Sequence, residues 1–373
     1  MPTWDNVPKG QMTAAVLTNP GYSADPSDCF TYSTDYPRPT LPSPEWVLCR
    51  VHAAGLNRAE LRGRTGAAPF IGEFIIFQKE YREEPPKILG EEFVGEVVEA
   101  GSASGFTEGE KVTGFLNGGG KAYDGAYAEF SLSHRRRLYR LPATTKLPWN
   151  VLAAVPMSMY TAWGALNLAA GLGERRKKDN KPVVVLIHGA TSSVGVWGLL
   201  VAKDAGATVI ATTRNTEKIE KLKAAGADHV VLEDDIDTEV LKIAPDGVDI
   251  VVELVGPDHI ARCANLCARR GTAVLVGPLN KNWSAGKFEP FYIPPTRNVS
   301  FFTMTNSGPG SEDADVDHPT VEALLSDVVH KIETGVYPQE VVVDKTFALR
   351  DIGKAHQYCE ENRAVGKVVV TVP

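Results

Sequence analysis

Pro182-Val-Val-Val-Leu-Ile-His188, Gly189-Ala-Thr-Ser-Ser-Val-Gly195, Val196 to Ala205 and Ala207-Thr-Val-Ile-Ala-Thr-Thr213 follow one another in the chain. The first run is continuously apolar, as in a parallel strand covered on both faces. Small residues in the second let the backbone turn tightly. The third predicts a helix and the last a second strand. That order is the unit of a doubly wound parallel sheet, in which a pyrophosphate rests on the N–H groups and positive dipole end of the helix.

The turn departs from the common G-x-G-x-x-G pattern, reading Ala190-x-Ser192-x-x-Gly195. Tight packing alone would also place small residues there. Ser192 and Ser193 still admit a phosphate and bring hydroxyl donors. Ala190, Thr191, Ser192, Ser193, Val194 and Gly195 are therefore the expected pyrophosphate contacts. The end of the second strand discriminates between dinucleotides. A chain that selects NAD places Asp or Glu there, where the carboxylate holds the ribose hydroxyls and repels a 2′-phosphate. Here Thr213 is followed by Arg214 and, one turn into the next helix, Lys218. A guanidinium forms paired, charge-assisted bonds to phosphate. The alternative is a solvated surface shared with Glu217 and Glu220, but the charge at this position favours NADP(H).

The chain has 373 residues, enough for two domains, and a formal net charge of −7. That charge argues against polyanionic partners, whether nucleic acid or membrane surface. The basic runs Arg135-Arg-Arg137 and Arg175-Arg-Lys-Lys178 are short and read as solvated loops. No apolar stretch is expected to reach the ~20 residues of a membrane span, and the first residues lack a signal-peptide core, so a cytoplasmic location is the default. Five cysteines at 29, 49, 263, 267 and 359 make no disulfide framework. Cys263 and Cys267 are expected on one face of a helix as buried thiols.

Around the cofactor unit, short β-like runs broken by Gly and Pro occupy residues 13 to about 145: Thr13–Leu17, Trp46–Val51, Phe93–Val98, Lys111–Phe115 and Ala126–Phe130. They predict a barrel-like β domain. A helix over Leu152–Leu168 leads into alternating elements: the strand Val248–Val255, a helix after Asp258, then strands Thr272–Val276 and Val299–Thr303. A loop spans 305 to 318. Helices near Val321–Thr334 and Asp351–Asn362 and the strand Lys367–Val372 close the chain.

Together these segments resemble the medium-chain dehydrogenase/reductase superfamily, and within it the zinc-free quinone oxidoreductase and enoyl reductase branch. The resemblance rests on Ala54-Gly-Leu-Asn-Arg-Ala-Glu-Leu61, Leu89-Gly-Glu-Glu-Phe-Val-Gly-Glu-Val-Val98, Gly125-Ala-Tyr-Ala-Glu-Phe130, Tyr160-Thr-Ala-Trp163, the Gly189–Gly195 turn and Gly366-Lys-Val-Val-Val. It implies an α/β architecture. A GroES-like β-barrel substrate domain comes from residues 1–157 and 318–373, and an inserted Rossmann domain from 158–317, with a reaction cleft at their junction. It also implies a homodimer paired through the strand matching Val299–Thr303, where Phe301 and Phe302 suit a buried edge; a monomer is the alternative.

Zinc relatives carry a Cys, a His-Glu pair and a further Cys or His where this chain has Asn57, Glu91-Glu92 and Met157. That set is poor for tetrahedral zinc, the four-cysteine lobe is missing, and no metal is expected. Without a Lewis acid, the expected chemistry is NADPH-dependent hydride transfer to the activated C=C bond of a small molecule, a quinone or an α,β-unsaturated carbonyl. Asn57 either donates to the enolate oxygen or contacts the nicotinamide amide; it could also only pin a turn. Thr161 resembles the family position beside the nicotinamide ring. Gly256 and Gly277, ending strands on the ligand edge, are expected at the adenosine ribose and the nicotinamide half. Lys367 resembles the family's closing contact near the nicotinamide, against the reading of a plain surface lysine. Tyr160, Tyr123 and His134 are candidate proton donors. The long segment Pro69–Pro86 is expected to shape the substrate pocket. The rival functions are zinc-free carbonyl or alcohol chemistry, and NADPH binding without catalysis.

Overall fold

The computed structural model describes residues 10–21, 25–65, 88–115, 120, 123–175, 181–280, 282, 284, 286, 289–304 and 317–373. The expected Pro69–Pro86 element and most of the 305–318 loop lie outside these. The chain divides into two compact units, one of residues 1–156, 309–336 and 345–373, the other of 157–308 and 337–344.

In chain order the strands are β1 (Gln11–Leu17), β2 (Phe30–Pro37), β3 (Trp46–Gly55), β4 (Glu92–Ala100), β5 (Lys111–Phe115), β6 (Phe130–His134) and β7 (Leu138–Arg140). There follow β8 (Val184–His188), β9 (Thr208–Thr213), β10 (His229–Leu232), β11 (Val248–Glu253), β12 (Cys267–Leu275) and β13 (Asn298–Phe301), then β14 (Val343–Ala348) and β15 (Lys367–Thr371).

In the first unit, antiparallel β3, β4, β5 and β7 continue through β15 and β14 in the order β14-β15-β3-β4-β5-β7, and β6 pairs with β3. β1 and β2 form a separate antiparallel pair. Alternate residues of these strands, among them Val47, Cys49, Val51, Phe93, Val97, Val112, Val368 and Val370, bury into one core. This is the GroES-like layout. One expected strand is displaced: Ala126–Phe130 becomes β6 four residues later. The displaced residues serve two partners instead, because Ala126 and Tyr127 donate to Gly90 and Leu89 while the Tyr127 carbonyl accepts from Ala15 of β1.

The second unit holds one parallel six-stranded sheet in the order β10-β9-β8-β11-β12-β13. Numbered within the unit this is 3-2-1-4-5-6, the doubly wound Rossmann order. Leu186, Ile210, Val251 and Ala273 lie in a core shared with the flanking helix residues Val240, Ile260 and Ala264. The helix expected over Leu152–Leu168 is broken: Trp149–Leu152 ends, and Pro156–Gly164 starts anew before a π turn at Ala165–Ala169. Pro156 has no N–H for a continuing ladder, so it begins a helix rather than extending one. Read as one run, Trp149–Ala169 is 21 residues and does reach a membrane-spanning length and composition, against the expectation that none would. Most of its apolar window, 78%, is buried inside the protein, the mark of a core helix. At the far sheet edge Phe302 is buried and its ring fills the space beside Gly164, whereas Phe301 is 60% exposed.

Candidate functional site

The order of the parallel sheet reverses between β8 and β11, so the crevice beyond their carboxyl ends is where the fold places ligands. β8 ends at His188, directly opposite Glu253 at the end of β11. Gly189 then takes φ +87°, which lets the chain turn sharply away from the sheet. The next helix is Ser193–Asp204, starting three residues before the expected Val196, because Ser192 caps it. The Ser192 hydroxyl accepts from the Gly195 N–H at 3.0 Å and donates to the Gly189 carbonyl at 2.9 Å. One motif serine is therefore a helix cap. Gly195 is fixed by space, since a Cβ there would lie 2.7 Å from the Ala190 backbone. Ala190 is buried, while Thr191, Ser192, Ser193 and Val194 stay half-buried around the helix amino end.

At the end of β9, Thr213 and Asn215 are engaged with each other: the Thr213 hydroxyl accepts from the Asn215 N–H at 3.1 Å and donates to its carbonyl at 3.2 Å. The Asn215 carboxamide oxygen caps the Glu217 N–H at 2.8 Å. These two residues hold the bend, and Arg214 between them is exposed with no ion pair among the described residues. Lys218 is half-buried one short turn later. Gly256 is buried, and a Cβ on it would meet the Asn280 side chain at 2.4 Å. Gly277 is half-buried with open space where a Cβ would stand. The Thr161 hydroxyl donates back to the Met157 carbonyl at 2.5 Å within its own helix.

Sequence reasoning missed the ionisable group at the switch point. His188 Nδ1 hydrogen-bonds Glu253 Oε2, and Nε2 lies 2.8 Å from both carboxylate oxygens of Glu233. Cys263 Sγ donates to Glu253 Oε2 at 3.0 Å, and Arg262 Nη1 reaches Glu233 at 3.3 Å. Burial alone would lower the imidazole pKa, but its hydrogen bonds to Glu233 and Glu253 and their charges outweigh this and raise it to about 9. The ligand atoms of His188, Glu253 and Cys263 lie within 4.8 Å of one another. Protons already join all three, and burial and Glu253 hold the thiol well above its usual range, so the group is a hydrogen-bonded cluster and not a ready thiolate site. The signal was available: a His and a Glu at the ends of two otherwise apolar strand runs demand a buried partner. Cys267, expected on the same helix as Cys263, is instead the first residue of β12, because that helix ends at Leu266.

In the barrel unit, Asn57 and Lys367 come together. Lys367 Nζ lies 2.7 Å from Asn57 Oδ1 and 2.5 Å from Glu92 Oε1, and both Lys367 and Glu92 are 0% exposed. Asn57 Nδ2 donates to Glu92 at 2.8 Å and Glu60 at 3.2 Å. Glu60 also accepts from the Asn57 and Glu91 N–H groups at 2.5 and 3.0 Å. Gly55 makes the meeting possible. It closes β3 between β15 and β4, and a Cβ there would fall 2.5 Å from Lys367 Cε and 2.7 Å from Glu92 Oε1. These residues do not fit a zinc ion. The positive charge that the carboxylates need is already supplied by the ammonium, and the Asn57 amide is committed at both ends. His134 is engaged as well, its Nδ1 capping the Arg136 N–H at 3.4 Å, and Tyr160 is fully buried.

Three carboxylates share one ammonium here, and the imbalance falls on Glu60. Burial first, then the Glu91 charge, raise its pKa from 4.5 to about 8 against the opposing pull of Lys367. A carboxyl raised on folding adds stability that is complete below 4.5 and is lost as pH rises through about 8. Glu60→Gln removes this titration. The melting temperature of the wild type should therefore fall relative to E60Q between pH 5 and 8.5 in scanning calorimetry. A difference that stays constant with pH would show that Glu60 ionises normally.

Residues 43–143 match the family described as alcohol dehydrogenase GroES-like domain, and residues 193–315 match that described as zinc-binding dehydrogenase. The chain is 27% identical to the quinone oxidoreductase of Homo sapiens over 244 residues, covering 64% of this chain and 66% of that protein. It is 26% identical to the 2-haloacrylate reductase of a Burkholderia species over 340 residues, 88% of this chain and 91% of the relative. It spans only 5% of another relative, the polyketide synthase GfsB of Streptomyces halstedii. Among solved structures, AibC superposes with a TM-score of 0.75 at 27% identity, covering 98% of this chain and 96% of that one. The quinone oxidoreductase from Coxiella burnetii gives 0.73 at 25% identity, covering 97% and 99%. With a GroES-like barrel, a 3-2-1-4-5-6 sheet and both family matches in their expected order, the chain belongs to the medium-chain dehydrogenase/reductase superfamily, in its quinone oxidoreductase-like branch.

Proposed function

We propose that the protein is an NADPH-dependent, zinc-independent reductase of an activated carbon–carbon double bond in a small molecule, a quinone or an α,β-unsaturated carbonyl. The observation that carries the reading is the edge of the Rossmann unit. A Ser192-capped helix presents its amino end beside a turn closed by Gly195, and Arg214 stands exposed and unpaired among the described residues where an NAD-selecting chain has a carboxylate. The amino end takes the pyrophosphate and Arg214, with Lys218, the 2′-phosphate. Gly277, with open space in place of a side chain, suits the nicotinamide half, and the buried Gly256 the adenosine ribose. The names of the human and Coxiella quinone oxidoreductases and of the Burkholderia 2-haloacrylate reductase support reduction as the reaction type.

Bound NADPH would supply a hydride to the β-carbon of the acceptor, leaving an enolate oxygen that is then protonated. Within the barrel unit Asn57 is held by Glu60 and Glu92, with the Lys367 ammonium on its carboxamide oxygen. Both Asn57 N–H groups already serve Glu92 and Glu60, so a bond to an enolate oxygen requires the amide to exchange one of these partners. The test is NADPH oxidation by the purified protein with benzoquinones and with short enones, followed by product analysis. One saturated ketone per NADPH is expected from an enone and one hydroquinone per NADPH from a benzoquinone, the enone product deciding between C=C and C=O reduction. Reduction of the carbonyl to an alcohol would move the assignment to C=O chemistry, and tight NADPH binding without turnover on any acceptor would make the protein a binder.

A further inference from the structure

The buried ion pair at the switch point joins the segments that would hold the dinucleotide. Glu253 Oε1 accepts the N–H groups of Val255 and Gly256 at 2.5 and 2.9 Å, and so fixes the loop after β11. Its other oxygen receives His188, the last residue before the Gly189 turn. Beyond this level the sheet ladder stops; the Leu254 N–H reaches the His188 carbonyl at 3.1 Å and the Gly189 N–H reaches Thr212 Oγ1 at 3.0 Å. The second ring nitrogen of His188 extends the tie to Glu233, after β10.

We propose that His188 and Glu253 are positioning residues for the dinucleotide, a charged clamp that sets the Gly189–Gly195 turn against the Val255–Gly256 loop. This rests on the dinucleotide reading above. The imidazole serves both carboxylates only while it carries two N–H groups. A neutral ring has one donor, so Glu233 or Glu253 would lose its bond, and the loss at Glu253 would reach the loop it holds. The groups facing His188 are Glu253 from β11, Glu233 from the turn after β10, and His259, with its ring centroid 5.2 Å away. Arg262 and Cys263 act on it through Glu233 and Glu253. Arg262 is shared between Glu233 and Asp237, so the imidazolium is the charge that balances Glu253, and loss of its proton adds negative charge next to the phosphate edge.

The experiment measures the Kd of the full-length protein for NADPH by quenching of protein fluorescence from pH 6.5 to 10, for wild type, His188→Gln and Glu253→Gln, with the melting temperature of each without cofactor. Wild-type Kd should be level to about pH 8 and rise roughly tenfold across pH 9, while H188Q binds roughly tenfold more weakly at pH 7 and shows no such rise. A wild-type Kd that stays level to pH 10, or H188Q binding as the wild type does throughout, overturns the clamp. The wild-type profile decides alone if H188Q does not fold. Wild type that binds neither NADPH nor NADH at any pH overturns the dinucleotide reading, and the clamp with it.

Discussion

Lys367→Met should destabilise the barrel unit by about 3–5 kcal/mol, because it leaves the carboxylate of Glu92 charged and fully buried with its ammonium gone. Methionine nearly matches the lysine stem in volume, so the loss is electrostatic and not one of packing. Asn57 Oδ1 loses a donor in the same step, and Glu60, with the opposing pull of Lys367 gone, is held still more firmly in its neutral form. At roughly 2–4 °C per kcal/mol for a unit of this size, calorimetry should show a drop of about 10 °C. Lys367→Met combined with Glu92→Leu removes both charges and should recover most of the drop, since a buried ion pair replaced whole is often nearly neutral. If the single variant melts within 2 °C of the wild type, the pair is not the electrostatic anchor of this cluster.

The contrast between this pair and the parallel sheet shows what the sequence exposes. Val184 to His188 and Val248 to Glu253 are legible because a strand buried on both faces is mostly apolar, and the Rossmann order then follows from alternation with helices. The barrel strands are legible from their alternation, although Ala126–Phe130 shows the limit: a segment hydrogen-bonded to two neighbours reads as a strand before it becomes one. Asn57 and Lys367 were found separately through the resemblance, 310 residues apart in sequence, and nothing in either motif says that they touch. Their meeting depends on register: β15 and β4 flank β3, and Gly55 leaves the space. His188 and Glu253 are a similar case, joined by the pairing of β8 with β11. Sequence thus marks each charge as anomalous within an apolar run, while only the strand order supplies its partner. The cap formed by Ser192 was hidden for another reason, since a serine in a phosphate turn suits an anion contact and a helix cap equally.

Arg214→Ala should weaken NADPH binding roughly ten- to hundredfold while changing NADH binding little, the span that follows from losing charged hydrogen bonds of about 1.5–3 kcal/mol. The structure sharpens the reason for choosing this residue over its neighbours. Thr213 and Asn215 are occupied in holding the bend, with the Asn215 oxygen on the Glu217 N–H, so neither is poised to compensate. Arg214 is exposed and has no ion pair among the described residues, so a phosphate would not have to displace a carboxylate from it. Because the contact lies at the surface, salt should screen it: NADPH affinity in the wild type should fall as ionic strength rises, and the slope should flatten in R214A. Arg214→Asp should go further and reverse the preference toward NADH, placing a carboxylate where it accepts from the ribose hydroxyls and repels the 2′-phosphate. Paired titrations of NADPH and NADH at two salt concentrations check all three outcomes. Equal losses for both cofactors in R214A would mean that Arg214 supports the fold of this edge and does not read the 2′-phosphate.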